Sequence, residues 1–165
     1  VMPIYYRETH ELTELQIGLL LGGNGLFIFL FEMPLIKWLE RTKNTKVSLI
    51  LFGAFLVGLS LIVLNITHWS GILIIGMLLM TIGEMIAFPF AHGFALDRAK
   101  RGNQGEFMAM YAIAFSIGSI FGHNAGLQLA ERLGFDNTWS IMTGLAVLCV
   151  LLLFILKVYM KKNLR

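Results

Sequence analysis

Five long apolar stretches separated by short polar segments dominate the pattern of this chain. They cover residues 16–38, 47–66, 72–96, 105–130 and 139–158. Each is long enough to cross about 30 Å of hydrocarbon at a rise of 1.5 Å per residue. A membrane span must satisfy its backbone hydrogen bonds internally, and the alternating pattern of a barrel is absent. The sequence therefore predicts an all-α, polytopic membrane bundle with five transmembrane helices.

The residues at the ends of these stretches are typical of membrane helices. Thr13 and Gln16 have the spacing of a capping box at the start of the first span. Tryptophans near three span ends, and one tyrosine, predict an aromatic belt at the membrane surface. These residues are Trp38, Trp69, Trp139 and Tyr159. Pro34 and Pro89 lie inside spans, where proline kinks a helix or frees a carbonyl group.

Positive charge predicts the orientation of the helices. Eleven of the 13 lysines and arginines fall on one side of the membrane. They are Lys37, Arg41, Lys43, Lys46, Arg98, Lys100, Arg101, Lys157, Lys161, Lys162 and Arg165. The positive-inside rule makes that side cytoplasmic, so the N-terminal segment faces outward and the C-terminus faces the cytoplasm. The net charge of +3 is thus a topology signal, and we predict no nucleic-acid partner.

Polar residues are distributed unevenly among the five spans. Spans one, three and four carry the amides, carboxylates and imidazoles, whereas spans two and five carry little besides a few hydroxyls and Asn65. Ionisable groups inside a membrane usually face a bundle interior or an aqueous cavity. We therefore expect spans one, three and four to line a polar pathway and spans two and five to face lipid. The candidate pathway residues are Asn24, Glu32, Glu84, His92, His123, Asn124 and Gln128.

Small residues recur at helical spacing beside these polar positions. Gly18 and Gly22 form one GxxxG pair, and Gly118, Gly122 and Gly126 continue a longer stripe in span four. Such stripes allow helices in membranes to approach closely, so we predict that these glycines pack against neighbouring helices.

Among the polar residues, Glu84 has the strongest case for function because it lies near the membrane midplane with no basic residue close by in its own helix. Glu32 and His92 fall at similar depth near the cytoplasmic side, where we expect that they can meet. For Glu32, pairing with a basic loop residue is an equal alternative to handling a solute or proton. For His92 and His123, the alternative is an interhelical hydrogen bond, and the amides are more often packing contacts than ligands.

Other kinds of chemistry find little support in the composition and motifs. Hydrophobic residues make up 57% of the chain and charged residues 14%, which excludes an ordinary soluble domain. Metalloprotease, nucleophile-elbow and phosphate-loop motifs are absent, so we predict no catalytic residues. Glu84 and His92 are eight residues apart with no third ligand along the helix, and the single cysteine, Cys149, lies in an apolar run. We therefore predict neither a metal site nor a cofactor.

Three segments resemble parts of the major facilitator superfamily. The stretch PLIKWLERTKNTK resembles its loop signature GxLxDRxGRR, with Glu40 and Arg41 matching the acidic–basic pair. Isoleucine and tryptophan replace the glycine and leucine of that signature. The stretch SIGSIFGHNAGLQLAERLGFDNTW resembles the GxxxGPxxG helix, with His123 at the usual proline position. The segment DRAKRGNQG resembles the cytoplasmic turn that leads into the glycine-rich helix.

The resemblance implies a transporter built of two six-helix halves. The weakened loop signature favours the C-terminal half, in which residues 1–6 end helix seven and the five spans are helices eight to twelve. On this mapping helices eight and eleven face the missing N-terminal half, helix ten lines the central cavity, and helices nine and twelve face lipid. Glu40 and Arg41 are then expected to help close a cytoplasmic gate.

The apolar pattern and the resemblance together predict a secondary active transporter in the bacterial inner membrane that moves a small solute by alternating access. The resemblance allows uniport, symport or antiport, with a proton as the favoured coupling ion. A non-transporting membrane protein, either an intramembrane enzyme or an anchoring subunit, is the alternative, since fold analogy alone does not establish function.

Overall fold

Six helices make up the parts of the chain that the structure, a computed structural model, describes: residues 1–66, 71–99 and 103–162. They are α1 (Met2–His10), α2 (Glu14–Glu40), α3 (Lys46–Ile66), α4 (Gly71–Ala99), α5 (Gln104–Leu133) and α6 (Phe135–Lys162). Helices α2 to α6 are long and apolar enough to cross a membrane. The predicted fold class, an all-α polytopic bundle, is confirmed. Trp69, Lys100, Arg101 and Arg165, which were used above to predict topology, lie outside the described residues.

Local sequence signals account for several helix ends. The Thr13 side chain accepts a hydrogen bond from the backbone of Gln16, whose side chain accepts one from the backbone of Thr13 in return. This capping box satisfies backbone donors at the start of α2. Gly134 adopts a φ of 79° between α5 and α6, a backbone conformation that other residues rarely take. Pro34 and Pro89 both lie within continuous helices.

Helices α3 and α4 form the tightest contact in the bundle, and two glycines make it possible. A methyl group built on Gly53 would lie 2.6 Å from the carbonyl oxygen of Gly83 and 2.8 Å from the backbone nitrogen of Ala87. A methyl group on Gly83 would lie 2.7 Å from the carbonyl oxygen of Gly53. The two backbones therefore approach closely, as small residues permit in membrane proteins.

Helix α3 lies between α4 and α6, which differs from its predicted position facing lipid. A larger share of α3 is buried than of any other long helix. Its Gly58 approaches Ala146 of α6, and Asn65 donates a hydrogen bond to Ser140 of α6 at 3.2 Å. Phe52 and Phe55 remain about half exposed. The expectation was incomplete because an apolar helix surface looks the same in sequence whether it meets lipid or another helix.

Aromatic residues hold the outer ends of α1, α3 and α6 together. Tyr5 is 1% exposed, donates a hydrogen bond to the carbonyl oxygen of Leu64, and makes edge contacts with the rings of Phe135 and Trp139. Trp139 is only 3% exposed, so it belongs to this core and its predicted place in an interfacial belt was wrong. Trp38, in contrast, is 65% exposed at the end of α2.

Most residues of α2, α5 and α6 are exposed to the surroundings of the chain. Of these three helices, α2 and α5 flank α4. In α2 the buried residues are Ile17 and Leu39, and in α5 Gly126 is buried. The central helix α4 therefore packs densely on α3 along one face, and its Thr81 and His92 contact α2 and α5, respectively.

Candidate functional site

Glu84 lies about midway along α4 and is half-buried. At the rise of an α-helix, Glu84 lies roughly 20 Å along the helix axis from the first residue of α4. Within the described residues, neither Glu84 nor Glu32 forms an ion pair with a lysine or arginine. A carboxylate at this depth is costly to keep charged without a partner. Glu84 is therefore the central residue of the candidate site.

A hydrogen bond joins α2 to α4 one turn outward from Glu84. The hydroxyl of Thr81 donates to the side-chain oxygen of Asn24 at 2.6 Å. Thr81 is 3% exposed, so the bond satisfies a hydroxyl group that is otherwise cut off from solvent. The sequence analysis singled out Asn24 but missed Thr81. The signal that was present is the spacing of three residues between Thr81 and Glu84, which places them on one helix face.

Four rings connect α4 to α5 between Glu84 and the C-terminal end of α4. Phe88 meets Phe115 edge to face with ring centres 6.0 Å apart, and His92 meets Tyr111 in the same manner at 5.5 Å. Tyr111 and Phe115 lie nearly parallel at 6.4 Å. We call Phe88, His92, Tyr111 and Phe115 the aromatic cluster. Phe88 and His92, which are the cluster residues on α4, follow Glu84 at intervals of four residues. They therefore lie along the same face of α4 as Glu84.

The glycines of α5 continue the stripe of the aromatic cluster toward the outside. Tyr111, Phe115, Gly118 and Gly122 recur at spacings of four, three and four residues. Because α4 and α5 run antiparallel, this register places Gly118 near the level of Glu84 and Gly122 near that of Thr81. A methyl group built on either glycine would meet no atom of the described chain within 4 Å. Within the described residues, nothing covers this part of α5.

Further outward, α5 contacts other helices. A methyl group on Gly126 would lie 3.0 Å from Val1 and 3.4 Å from Met142 of α6. Helix α5 thus meets α4 through the aromatic cluster and meets Val1 and α6 near its outer end. We call the stretch of α4 and α5 between these contacts, at the levels of Glu84, Gly118 and Gly122, the α4–α5 cleft.

The remaining predicted pathway residues are more dispersed. His92 is exposed and contacts Tyr111, and within the described residues no hydrogen bond or ion pair joins it to Glu32. The Asn124 side chain donates to the carbonyl oxygen of Ile120 in its own helix. His123 and Gln128 are exposed farther along α5 toward its outer end. Asn24 is thus bonded to Thr81, one helical turn from Glu84. His92 belongs to the aromatic cluster.

The predicted packing glycines differ in their surroundings. Gly126 is buried against Val1 and Met142. Gly18, Gly22, Gly118 and Gly122 have open space where a side chain would be, with respect to the described residues. Packing against a neighbouring helix stays a prediction for these four. The closest glycine contact of the bundle, between Gly53 and Gly83, was not predicted, because neither residue belongs to a GxxxG pair.

An ion pair joins α3 and α4 at the end that the sequence assigns to the cytoplasm. The ammonium group of Lys46 lies 2.6 Å from a carboxylate oxygen of Asp97 and donates to the carbonyl oxygen of Gly93 at 3.2 Å. Glu40 and Arg41 lie nearby in sequence, at the end of α2, and both are exposed. Sequence reasoning placed Lys46 in the basic run of the loop signature but did not identify Asp97 as its partner.

A search of the described residues finds no group of three or more histidine, cysteine, aspartate or glutamate side chains able to hold a metal ion. The chemistry available at the α4–α5 cleft is therefore that of one carboxylate, a Thr–Asn hydrogen bond and aromatic rings. These groups can bind a solute or a proton.

The described residues form a polytopic bundle of apolar helices with a half-buried carboxyl group, that of Glu84, in the middle of α4. Comparison with known proteins gives the family. The model of the Major Facilitator Superfamily matches residues 1–164, and the chain belongs to that superfamily. The resemblance drawn from the loop and glycine signatures is confirmed.

Curated relatives are membrane transporters by name. The chain is 25% identical to a "Na(+), Li(+), K(+)/H(+) antiporter" of Planococcus maritimus over 162 aligned positions, which cover 90% of this chain and 38% of that protein. It is 22% identical to a "Probable sugar efflux transporter" of Helicobacter acinonychis (strain Sheeba), over 89% of this chain and 37% of the relative. The chain thus spans less than two fifths of the length of these relatives. No solved structure matches it at comparable significance.

Proposed function

We propose that this chain forms one wall of the pathway of a secondary transporter that moves a small solute by alternating access. The observation that carries the proposal is the half-buried Glu84 in the middle of α4, beside the open α4–α5 cleft. Carboxylates inside membrane bundles mark solute and proton pathways. Membership of the superfamily and the names of the relatives support transport of a small solute.

Glu84 is proposed to couple the solute to a proton. A carboxyl group that has no lysine or arginine beside it is more easily accommodated in the membrane when it is neutral. Either a proton or a cationic solute supplies the missing positive charge, so the two compete for one site. This competition is the physical basis of antiport, and an antiporter of cations and protons is among the relatives. Symport through the same carboxyl group is the second mode of coupling.

The chain is proposed to be the C-terminal half of the transporter, with α1 as the end of helix seven and α2 to α6 as helices eight to twelve. The exposed faces of α2 and α5 support this mapping, since both would contact an N-terminal half of the same transporter. On this mapping the other wall of the pathway is supplied by that half.

The basic residues support insertion in a bacterial inner membrane with the end of α6 in the cytoplasm. In that orientation the outer end of α2 faces the opposite side, and Glu40 and Arg41 lie at the cytoplasmic surface. Their match to the acidic–basic pair of the loop signature supports a role in closing a cytoplasmic gate.

The test is proton movement driven by solute in proteoliposomes that contain the complete transporter. A pH-sensitive dye inside the liposomes records proton flux when alkali cations, neutral sugars or organic cations are added in turn. We expect at least one class to drive proton flux, and we expect Glu84→Gln to lower that flux at least about tenfold, because glutamine cannot take up and release a proton. Glu106→Gln, at the exposed start of α5, is the matched control and should leave the flux unchanged.

Two results would contradict the proposal in different ways. Proton flux that is equal in the Glu84→Gln variant and the unsubstituted protein would remove the coupling role of Glu84. Absence of flux for every solute class would instead favour the alternative of a non-transporting membrane protein.

A further inference from the structure

We infer that the hydrogen bond between Asn24 and Thr81 is a latch, which is formed in this structure and breaks when α2 bends at residues 22–25. In its closed form the latch holds the middle of α2 against α4. The inference rests on the proposed transport function and deepens it by naming a device that sets the position of α2. It joins three observations: a buried hydrogen bond between two helices, local bonding alternatives for both partners, and a glycine-rich segment between two apolar anchors.

The hydrogen bond between Asn24 and Thr81 connects α2 to α4 through polar side chains. The Thr81 hydroxyl donates to the Asn24 side-chain oxygen at 2.6 Å, and Thr81 is 3% exposed. Across residues 1–66, 71–99 and 103–162, no other side-chain hydrogen bond or ion pair joins α2 to another helix. A bond away from water is strong, because breaking it without a replacement leaves polar groups unsatisfied. This bond therefore holds α2 at its distance from α4.

Both partners of the latch have a replacement bond available within their own helices. In this chain, polar side chains on α5 and α6 donate to the carbonyl oxygen four residues earlier in the same helix. They are Asn124, Asn137, Thr138 and Ser140. Thr81 can donate in the same way to the carbonyl oxygen of Met77. Asn24 can likewise donate to that of Leu20. Because neither group is then left unsatisfied, breaking the latch costs little, and the bond can form and break repeatedly.

Glycines around Asn24 make the middle of α2 easy to bend. Gly22, Gly23 and Gly25 lie within two residues of Asn24, and a methyl group built on any of them would meet no atom of another described helix within 4 Å. At about 100° per residue, these glycines lie on the side of α2 opposite Asn24. Apart from proline, glycine is the residue that least favours a regular helix. Three glycines among four residues therefore weaken α2 at the latch itself.

Two apolar clusters anchor α2 on either side of this glycine-rich segment. Toward the start of α2, Ile17 is buried in a cluster that includes Leu64 of α3. At the other end, Leu39 is buried in a cluster that includes Phe90 of α4. The latch lies between these two anchors. When it breaks, the middle of α2 can therefore move away from α4 while both ends of α2 keep their apolar contacts.

The latch lies one helical turn from the central residue of the candidate site. Thr81 precedes Glu84 by three residues, so the two residues share one side of α4. Movement of α2 away from Thr81 widens the space between α2 and α4 at that level. The state of the latch therefore changes the surroundings of α4 beside Glu84 without a substitution of Glu84 itself.

Distances between two spin labels, measured by pulsed electron paramagnetic resonance on the complete transporter in detergent, test the inference. The labels are attached at Glu14→Cys on α2 and Asn137→Cys on α6, both exposed positions, after Cys149→Ser removes the cysteine of this chain. We expect two distances, one for each state of the latch. Thr81→Val should raise the ratio of the open to the closed state by about two- to tenfold, the equilibrium change for one lost hydrogen bond. Thr81→Ser keeps the hydroxyl and should restore the ratio.

Ser60→Ala is the matched control. Ser60 is 0% exposed and donates to the carbonyl oxygen of Val57 in its own helix, so this change removes a buried hydroxyl away from the latch. It should leave the distances unchanged. Asn24→Ala should act like Thr81→Val, and the double variant should match either single variant, because each change alone already removes the bond. Thermal unfolding of each variant verifies that it is folded.

The result that would overturn the inference differs from the failure of the proposed function. If a solute drives proton flux that depends on Glu84, while folded Thr81→Val shows the distances of the unsubstituted protein, transport stands and the latch is wrong. Additive effects of Asn24→Ala and Thr81→Val would also overturn it, since the two side chains would then act independently. A shift of the distances by Thr81→Val, together with no flux for any solute class, would instead support the latch and remove the proposed function.

Discussion

The glycines on the two sides of α4 have opposite surroundings. On the face toward α3, Gly83 approaches Gly53 so closely that neither position has room for a methyl group. On the face toward α5, Gly118 and Gly122 border open space. Gly83 and Glu84 are consecutive residues, so about 100° of rotation around one helix separates the closest helix contact from the candidate site. Glycines at regular spacing in a membrane helix therefore do not by themselves predict a close helix contact. The contact depends on whether another helix lies against them.

This contrast has a physical use in a transporter. Dense packing of α3 on α4 holds the depth and rotation of Glu84, because interlocked backbones leave little freedom to slide. In the proposed transporter, the sparser packing between α4 and α5 is where a solute would bind. Substitutions on the two faces should consequently affect different properties.

The largest effect is expected for Gly83→Val, which places a side chain against the backbone of Gly53. Backbone atoms cannot rotate out of the way as a side-chain end can, so α3 and α4 must separate. We expect a destabilisation of about 1–3 kcal/mol or more, seen as a lower midpoint of thermal unfolding in detergent and a lower yield of folded protein. Gly144→Val on α6 is the control, since its surroundings within 4 Å are open. An unchanged midpoint for Gly83→Val would contradict the close contact.

A substitution in the α4–α5 cleft should instead lower transport and leave stability nearly unchanged. Leucine at Gly118 extends into the open space at the level of Glu84 and blocks it. We expect at least about a tenfold loss of solute-driven proton flux, with a change in unfolding free energy within about 0.5 kcal/mol. Gly144→Leu, which lies away from the cleft, should preserve flux. If Gly118→Leu transported normally, the cleft would not be part of the pathway.

The smallest effects are expected at the cytoplasmic end. Lys46 and Asp97 join α3 and α4 through side chains that are 41% and 50% exposed, so Lys46→Gln should cost less than about 1 kcal/mol and less still in high salt. Glu40→Gln combined with Arg41→Gln removes two exposed charges and should leave the unfolding midpoint unchanged.

If Glu40 and Arg41 help to close a cytoplasmic gate, their double variant should shift the balance between inward-open and outward-open conformations, although its unfolding midpoint is unchanged. Cysteines introduced on the cytoplasmic side of the pathway should react with a membrane-impermeant thiol reagent about twofold faster than in the protein with both charges. Lys46→Gln serves as the comparison at the same end of the bundle. Equal reactivity in the double variant and its parent would exclude a gating role for the pair.

Sequence patterns predicted much of the fold and part of the candidate site. Apolar runs and the Thr13 capping box indicated the long helices, because length and end signals are local properties. Glu84 was identified because a carboxylate deep in an apolar run is conspicuous. Thr81, Phe88, Tyr111 and Phe115 were missed, since hydroxyl and aromatic residues are common in membrane helices and their importance arises from which helix they meet. Trp139 was misplaced for the same reason, as its partner Tyr5 lies far away in sequence.

By itself the sequence determined that the chain crosses the membrane, where its helices lie, and that Glu84 is at mid-depth, because hydrophobic length and the cost of a buried charge act along one chain segment. The tertiary structure decided the partners: α3 inside the bundle between α4 and α6, Gly53 against Gly83, Thr81 bonded to Asn24, and the aromatic cluster between α4 and α5. An apolar helix has several equivalent faces, and only simultaneous packing against its neighbours selects which becomes a contact and which borders a cleft.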